Sequence, residues 1–236
     1  MINSVIGKSN PLNHIALIMD GNGRWAKARN KPRTYGHQVA INNLMELINE
    51  CHKLKIGGVS LFAFSTENWK RPKSEINMLF KYLETFFKKN IKQLMKNDVK
   101  IYVSGDYHKL PPSTVKTINQ ALDLTKNKKG MKLNICLNYG GQDEIIRAIK
   151  QLVKSKKEIN QINLEKCFAS YDLGPIDLLI RTSGEVRISN FMLYQLAYSE
   201  MIFYKKPFPD FKINDLHLCL KEYSNRNRRY GGLKNA

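Results

Sequence analysis

Residues 14–30 read HIALIMDGNGRWAKARN. Ile15, Ala16, Leu17, Ile18 and Met19 make an unbroken apolar run, the pattern of a strand buried on both faces. The run stops at Asp20, and Gly21, Asn22, Gly23, Arg24 and Trp25 follow at once. A strand of this kind belongs to a parallel sheet covered by helices. Ligands of such sheets sit beyond the carboxyl ends of the strands. This stretch therefore delivers a carboxylate, two glycines and a cation to the place where chemistry is expected.

Working outward, strand-like runs recur at Val59–Phe64, Val99–Val103, Met131–Leu137 and Ile176–Ile180, with a short sixth around Met201–Tyr204. Between them apolar residues take helical spacing. Ile41, Leu44, Met45, Ile48 and Cys51 share one face of Val39–Leu54, and Leu79, Tyr82, Leu83, Phe86, Phe87, Ile91 and Leu94 share one of Ile76–Met95. Further helices are expected at Ser113–Thr125, Gln142–Val153, Leu164–Ser170, Phe191–Ala197 and Ile213–Tyr223. Breakers such as Gly57-Gly58, Pro111-Pro112 and Gly174-Pro175 fall between elements. The pattern predicts one α/β domain over 14–236, a mostly parallel sheet of about six strands flanked by helices, after a mobile N-terminal segment 1–13.

The 236 residues carry 39 Lys and Arg against 20 Asp and Glu, a formal charge of +19. Nucleic acid, an anionic membrane face and phosphorylated substrates all match that sign. The Lys-rich stretches (Lys88, Lys89, Lys92, Lys96, Lys100; Lys150, Lys154, Lys156, Lys157) read as solvated helix faces. They lack the interleaved aromatics of a single-strand binding surface, so no nucleic-acid partner is expected. The arginines are more selective. Only ten of the 39 cations are Arg, and Arg24, Arg33, Arg71, Arg181 and Arg187 fall in compact polar blocks. That is the pattern of planar, bidentate capture of phosphate or carboxylate. No apolar run approaches the ~18 residues of a membrane span, and MINSVIGKSNPLN is unlike a signal peptide. Four dispersed cysteines with no C-x-x-C pair argue for reduced thiols in a cytoplasm and against a zinc site.

Each strand end delivers polar residues to one shared rim. The second strand leads into Ser65, Thr66, Glu67, Asn68, Trp69, Lys70 and Arg71, and the fourth into Asn138-Tyr139-Gly140-Gly141. The fifth leads into Arg181-Thr182-Ser183-Gly184-Glu185, with Arg187 and Ser189 close behind. Gly21 and Gly23 allow backbone N–H groups to approach an anion at a helix start. Asp20 cannot hold a phosphate directly, because two anions repel; a bridging Mg²⁺ with few protein ligands resolves this. The corner thus reads as a diphosphate site with a metal, although Asp-Gly-Asn-Gly alone also reads as a plain turn. An EF-hand would need Gly where Trp25 stands, and no Walker loop occurs. Trp25, Trp69 and Tyr139 fit either a greasy ligand tail or simple packing. His37 is in reach of the rim or structural, and Glu200 is a metal ligand or a surface acid.

The blocks HIALIMDGNGRWAKARNKPRTYGH, LFAFSTENWKRPKSEI, LNICLNYGGQDEI and DLLIRTSGEVRISNFMLYQLAYSE, with RNRRYGG near the end, resemble the ordered blocks of the cis-prenyltransferases. Within these the resemblance is to the bacterial undecaprenyl diphosphate synthases, and it covers almost the whole chain. Gln38-Val39-Ala40 and Phe208 depart from the family pattern, and neither touches a charged ligand. The resemblance implies a single α/β domain with a hydrophobic tunnel, acting as a cytoplasmic homodimer with peripheral contact at the inner membrane. It implies condensation of isopentenyl diphosphate onto farnesyl diphosphate to a long Z-polyprenyl diphosphate, a precursor of the cell-wall lipid carrier. By matching position Asp20 carries Mg²⁺, with Glu200 as a second metal contact. Gly21, Asn22, Gly23, Arg24, Trp25, Arg33 and His37 hold the allylic substrate. Asn68 matches the residue assigned as proton acceptor, here a relay rather than a strong base. Ser65, Thr66, Glu67, Trp69 and Arg71 line the allylic site and its mobile flap, which includes Glu75. Arg181, Arg187, Ile188 and Ser189 match the isopentenyl diphosphate clamp.

Three other readings are weaker. A phosphatase with Asp20 as nucleophile would want an acid two residues on, where Asn22 stands. A basic adaptor or dead subunit would not need the set Asp20, Asn68, Arg181 and Arg187. The trans-prenyltransferases use D-D-x-x-D, and no adjacent aspartates occur here.

Overall fold

The computed structural model describes residues 12–227. Most of the 1–13 segment and of RNRRYGG lies outside the described residues. Six strands form: β1 His14–Ile18, β2 Gly58–Ser65, β3 Lys100–Ser104, β4 Lys132–Tyr139, β5 Leu178–Arg181 and β6 Glu200–Phe203. Every pairing is parallel, in the order β3-β4-β2-β1-β5-β6. β1 is buried along its whole length, as its unbroken apolar run requires. Its alternate residues feed two cores. Ile15 and Leu17 join the large cluster containing residues of α2 (Arg33–Lys53), α3 (Lys73–Lys96), α4 (Pro112–Thr125) and α7 (Ile213–Ser224). Ala16 and Ile18 join a smaller one with Tyr139, Leu179, Phe191 and Leu196. Strand alternation produces that division.

The chain passes from β1 to β2 on one side and later returns to β5 on the other. β1 is therefore flanked at a reversal of strand order, where α/β sheets open a crevice for ligands. A short helix α1 (Asn22–Lys27) follows β1 directly. Its cap, Gly21, has φ 91°, and a Cβ there would stand 2.6 Å from Ser183 Oγ. Only glycine fits this turn. The remaining α-helices among the described residues are α5 (Gly141–Lys154) and α6 (Gln161–Glu165).

Two expected helices differ. Over 164–170 the helix is α6, which starts earlier, where Asn160 accepts from the Asn163 N–H at 3.0 Å as its cap, and stops at Glu165. Over 191–197 the chain forms turns instead. Asn190 and Met192 take φ values of 61° and 39°, and the Gln195 carbonyl accepts from Ile176 N–H at 3.0 Å rather than from a helical partner. Tertiary packing overrides a helical apolar spacing here; Phe191 stacks on Phe62 with centroids 4.4 Å apart. Among the described residues no helix is long and apolar enough to cross a membrane.

Candidate active site

The carboxyl ends of β1, β2 and β5 open onto one cavity of about 620 Å³. Asp20, Gly21, Asn22, Gly23, Arg24, Arg33, His37, Ser65, Asn68, Arg71, Arg181, Arg187 and Ser189 all line it. These come from segments far apart in sequence, and the sheet brings them together. Below this polar mouth the walls turn apolar: Ala40, Ile41 and Leu44 from α2, Leu79, Phe80, Leu83 and Phe86 from α3, and Leu61, Ile135 and Leu137 from the sheet. Phe86 lines the cavity, whereas its neighbour Phe87 lies in the core without lining it.

Every cation at the mouth is held by an acid. Asp20 Oδ2 accepts from Arg181 Nη2 at 2.9 Å, and its Oδ1 accepts from the Gly21 N–H at 2.6 Å. Arg24 lies 3.5 Å from Oδ1. Burial pushes the Asp20 carboxyl up, but Arg181, the Gly21 N–H and Arg24 outweigh it and leave the pKa below the ordinary carboxylate value. Arg181 also donates to Ser189 Oγ at 2.7 Å and to the Arg187 carbonyl, which fixes the loop after β5. Glu185 joins Arg24 to Arg187. Glu75 is buried and holds Arg33 Nε at 3.1 Å and Arg71 Nη1 at 3.3 Å, with His37 Nε2 3.5 Å away. Burial, then the charge of Arg71, pushes the His37 imidazole down to about 4. His37 is neutral at pH 7.

At the end of β2, Asn68 and Ser65 form a reciprocal cap: Asn68 Oδ1 accepts from the Ser65 N–H at 3.2 Å, and the Ser65 side chain accepts from the Asn68 N–H. One lone pair of the Asn68 oxygen is engaged in this way, and its NH₂ is left as a donor. Six buried side-chain polar atoms have no hydrogen-bond partner among the described residues, and three belong to cavity residues: Asn22 Oδ1, His37 Nε2 and Arg181 Nε. Such unmet demand is rare in folded chains and concentrates here at the mouth.

Other expected site residues stand back from the cavity. Trp25 stacks on Tyr35, centroids 6.0 Å apart, with the Arg29 guanidinium 4.1 Å from its ring. Trp69 packs on Phe64 and donates to Asn138 Oδ1 at 2.8 Å. Tyr139 is buried and donates to Glu144 Oε2 at 2.6 Å. Ile188 packs on the smaller core. Thr66, Glu67 and Glu75 lie behind the lining residues. Glu200 departs most. Leu178 pairs with Ile15 on one side and Glu200 on the other, so Glu200 is level with the start of β1, whereas Asp20 lies beyond its end. Within this chain Glu200 does not reach Asp20; it pairs with Arg226 at 2.8 Å. Glu185 and Thr182, to which the sequence assigns no role beyond membership of the polar run after β5, belong to the site. Glu185 ties two arginines, and the Thr182 hydroxyl accepts from the Asp20 N–H at 2.9 Å.

Among the described residues no three His, Cys, Asp or Glu side chains cluster to hold a metal. Asp20 offers an ionised carboxylate at the mouth of a cationic cavity, where Glu185 is tied up between Arg24 and Arg187. Such a site fits Mg²⁺, which is bound through one or two carboxylates when substrate phosphates complete its shell.

A parallel α/β sheet with this cationic mouth above an apolar trough is a scaffold for an anionic head group on a greasy chain. The chain belongs to the undecaprenyl diphosphate synthase family and is a prenyltransferase: the family model "Putative undecaprenyl diphosphate synthase" matches residues 18–231. It is 45% identical over 227 residues to the isoprenyl transferase of Clostridium tetani, covering 93% of this chain and 89% of that one. It is 40% identical over 230 residues to the ditrans,polycis-undecaprenyl-diphosphate synthase ((2E,6E)-farnesyl-diphosphate specific) of Lactiplantibacillus plantarum, covering 93% and 89%. Among solved structures, lavandulyl diphosphate synthase from Lavandula x intermedia in complex with dimethylallyl diphosphate superposes with a TM-score of 0.89 at 34% identity, over 93% of this chain and 98% of that one. A probable undecaprenyl diphosphate synthase from Campylobacter jejuni gives 0.81 at 33%, over 94% and 100%.

Proposed function

We propose that this protein condenses isopentenyl diphosphate repeatedly onto farnesyl diphosphate, forming Z double bonds and ending at undecaprenyl diphosphate, a precursor of the cell-wall lipid carrier. One observation carries the reading: the cationic mouth and the apolar trough are two ends of a single cavity. A diphosphate and the isoprenoid attached to it are accommodated together. The names of the Lactiplantibacillus and Campylobacter relatives support the product, and the former supports farnesyl diphosphate as acceptor.

In this reading Gly21 to Arg24, Arg33, His37 and Arg71 hold the allylic diphosphate, and Arg181, Arg187 and Ser189 hold isopentenyl diphosphate. Asp20 would hold Mg²⁺ carried by the allylic diphosphate. Bound there, the metal supplies Lewis-acid neutralisation of the departing diphosphate. The arginines stabilise the same developing charge from fixed positions. Holding both substrates in line makes the bond-forming step effectively unimolecular. Asn68 orients a ligand oxygen through its NH₂ and passes the proton onward as a relay rather than holding it as a strong base. The protein acts as a cytoplasmic homodimer, and exposed Lys88, Lys89, Lys92 and Lys96 offer attraction to an anionic membrane face.

The test is incubation with farnesyl diphosphate and labelled isopentenyl diphosphate, with Mg²⁺ or with EDTA, followed by product sizing and double-bond analysis. Eight added Z units with Mg²⁺ and none with EDTA are expected for the undecaprenyl product. A shorter Z product would revise chain length alone. No condensation, or E products, would overturn the assignment.

A further inference from the structure

Asn190 lies one residue past Ser189, behind the mouth, and does not line the cavity. Gly140, the residue before α5, has no side chain to cap that helix, so its first N–H groups need partners from elsewhere. Asn190 supplies them. Its carbonyl accepts from the Gly141 N–H at 2.7 Å, and its Oδ1 accepts from the Gln142 N–H at 3.0 Å. The opposite end of the same amide, Nδ2, donates to Glu67 Oε1 at 3.2 Å. The two surroundings define the amide's orientation: the end facing a backbone N–H must be oxygen, and the end facing a carboxylate must be nitrogen. A Cβ at Gly140 would stand 2.8 Å from Asn190 Nδ2 and 3.0 Å from Thr66 Oγ1. Glycine there lets the three segments close on each other.

One side chain thus ties together the ends of β2, β4 and β5. On the β2 side lies the Ser65–Asn68 cap, and on the β5 side lies Ser189 with Arg181 and Arg187. Ser189 and Asn190 have φ values of 50° and 61°, a conformation that persists only where the surroundings impose it. Asn tolerates it better than most residues. We propose that Asn190 is a positioning residue for the condensation: it sets the separation between the Ser65–Asn68 turn, with the Arg71 that follows it, and the Arg181–Arg187–Ser189 cluster, and so places Asn68 and Arg71 against the isopentenyl diphosphate clamp. The inference rests on the proposed function for which diphosphate each cluster holds. The geometry itself does not depend on that reading.

The test uses the full chain and a reversal of the bond. Asn190→Asp keeps an oxygen for Gln142 but sets a carboxylate against Glu67. Adding Glu67→Gln returns a donor to the pair with its polarity reversed. KM for isopentenyl diphosphate, kcat, thermal midpoint and calorimetric binding of inorganic diphosphate are measured for the wild type, both single variants and the double variant. Asn190→Asp is expected to raise KM for isopentenyl diphosphate about tenfold, the scale of one hydrogen bond to a charged group. KM for farnesyl diphosphate should change much less, and the double variant should recover most of the loss. An unchanged KM in Asn190→Asp, or a double variant no better than it, would overturn the proposal. So would a uniform loss that follows the thermal midpoint, since Asn190 would then only hold the fold. If the wild type condenses nothing, the function reading fails by itself, and diphosphate binding still decides the role of Asn190: a rescued loss supports it and no loss overturns it.

Discussion

Arg181 donates to Asp20 across 2.9 Å from a side chain only 4% exposed, while Asp20 itself is 30% exposed at the cavity mouth. The pair neutralises a buried guanidinium and keeps a carboxylate ionised where a metal-bound ligand would sit. Asp20→Ala is expected to abolish elongation and also to destabilise the fold, because breaking such a pair leaves a buried charge uncompensated, at a cost of about 3 kcal/mol. Asp20→Asn keeps an oxygen for Arg181 and should lose elongation with far less destabilisation. Urea unfolding beside the product assay separates the two effects. Near-normal turnover by either variant would remove Asp20 from the chemistry.

Arg187 is the contrasting case. Its side chain is 58% exposed, and its partner Glu185 also serves Arg24. Exposed ion pairs contribute little to stability, so Arg187→Ala should unfold at the wild-type urea concentration. Its loss should appear in isopentenyl diphosphate binding, with KM raised about tenfold to a hundredfold, as expected for a charged hydrogen bond. Arg181→Ala should lose binding and stability together. Equal KM values for wild type and Arg187→Ala would take that residue out of the clamp.

The pH dependence of stability follows from two histidines. Burial pushes His14 down to about 4, and burial with the Arg71 charge does the same to His37. His14 is locked between the Gly174 carbonyl at 3.1 Å and Ser60 Oγ at 2.8 Å. In the unfolded chain both titrate near 6.5. Between about 6.5 and about 4 the unfolded state therefore binds more protons, so stability rises with pH across that window and is lost as pH falls through it. His14 alone accounts for a loss of up to about 3 kcal/mol as pH falls through that window. Asp20, Glu75 and Asp215, held below their ordinary values by cationic or hydrogen-bonding partners despite burial, extend the loss to lower pH. Urea midpoints measured from neutral pH to about pH 4 should fall steadily, and His14→Gln should flatten the profile. A profile level down to about pH 5 would mean that these imidazoles are charged in the fold.

Much of this was readable beforehand, for a physical reason. The five-residue apolar run Ile15–Met19, too short for a helix and followed by glycines, reads as a buried strand, and a parallel sheet sends all its carboxyl ends to one side, so Asp20, Ser65 and Arg181 share a rim. What stayed hidden depends on contacts made across the fold. The stretch Phe191–Ala197 reads as a helix, yet the backbone is left-handed at Asn190 and Met192, where Phe191 packs on Phe62 and Asn190 bonds to α5. Glu200 follows an apolar stretch as a strand-end acid would, but it begins β6 rather than ending it, and register alone moves it to the far end of the sheet. Trp25 and Trp69 have the composition of a ligand wall and the geometry of packing. Neither distinction is written in residue type.

Product length should be set at the bottom of the trough, and the register shows where that is. Ser65 pairs with Tyr139 at the rim, whereas Leu61 pairs with Ile135 deeper in the sheet. The helices repeat the order: His37 near the mouth precedes Leu44 by roughly two turns, and Glu75 precedes Phe86 by roughly three. Leu44, Leu61, Phe86 and Ile135 thus form the floor of the described cavity. Leu44→Phe should shorten the longest product, at a stability cost of about 1–3 kcal/mol from overpacking. Phe86→Ala should shift products toward greater length and cost about 3–5 kcal/mol, since a fully buried ring is lost. Both are read by sizing the polyprenyl products at matched folded fractions. A wild-type length distribution in both variants would place the floor elsewhere, and opposite shifts would mean that these side chains steer the chain rather than stop it.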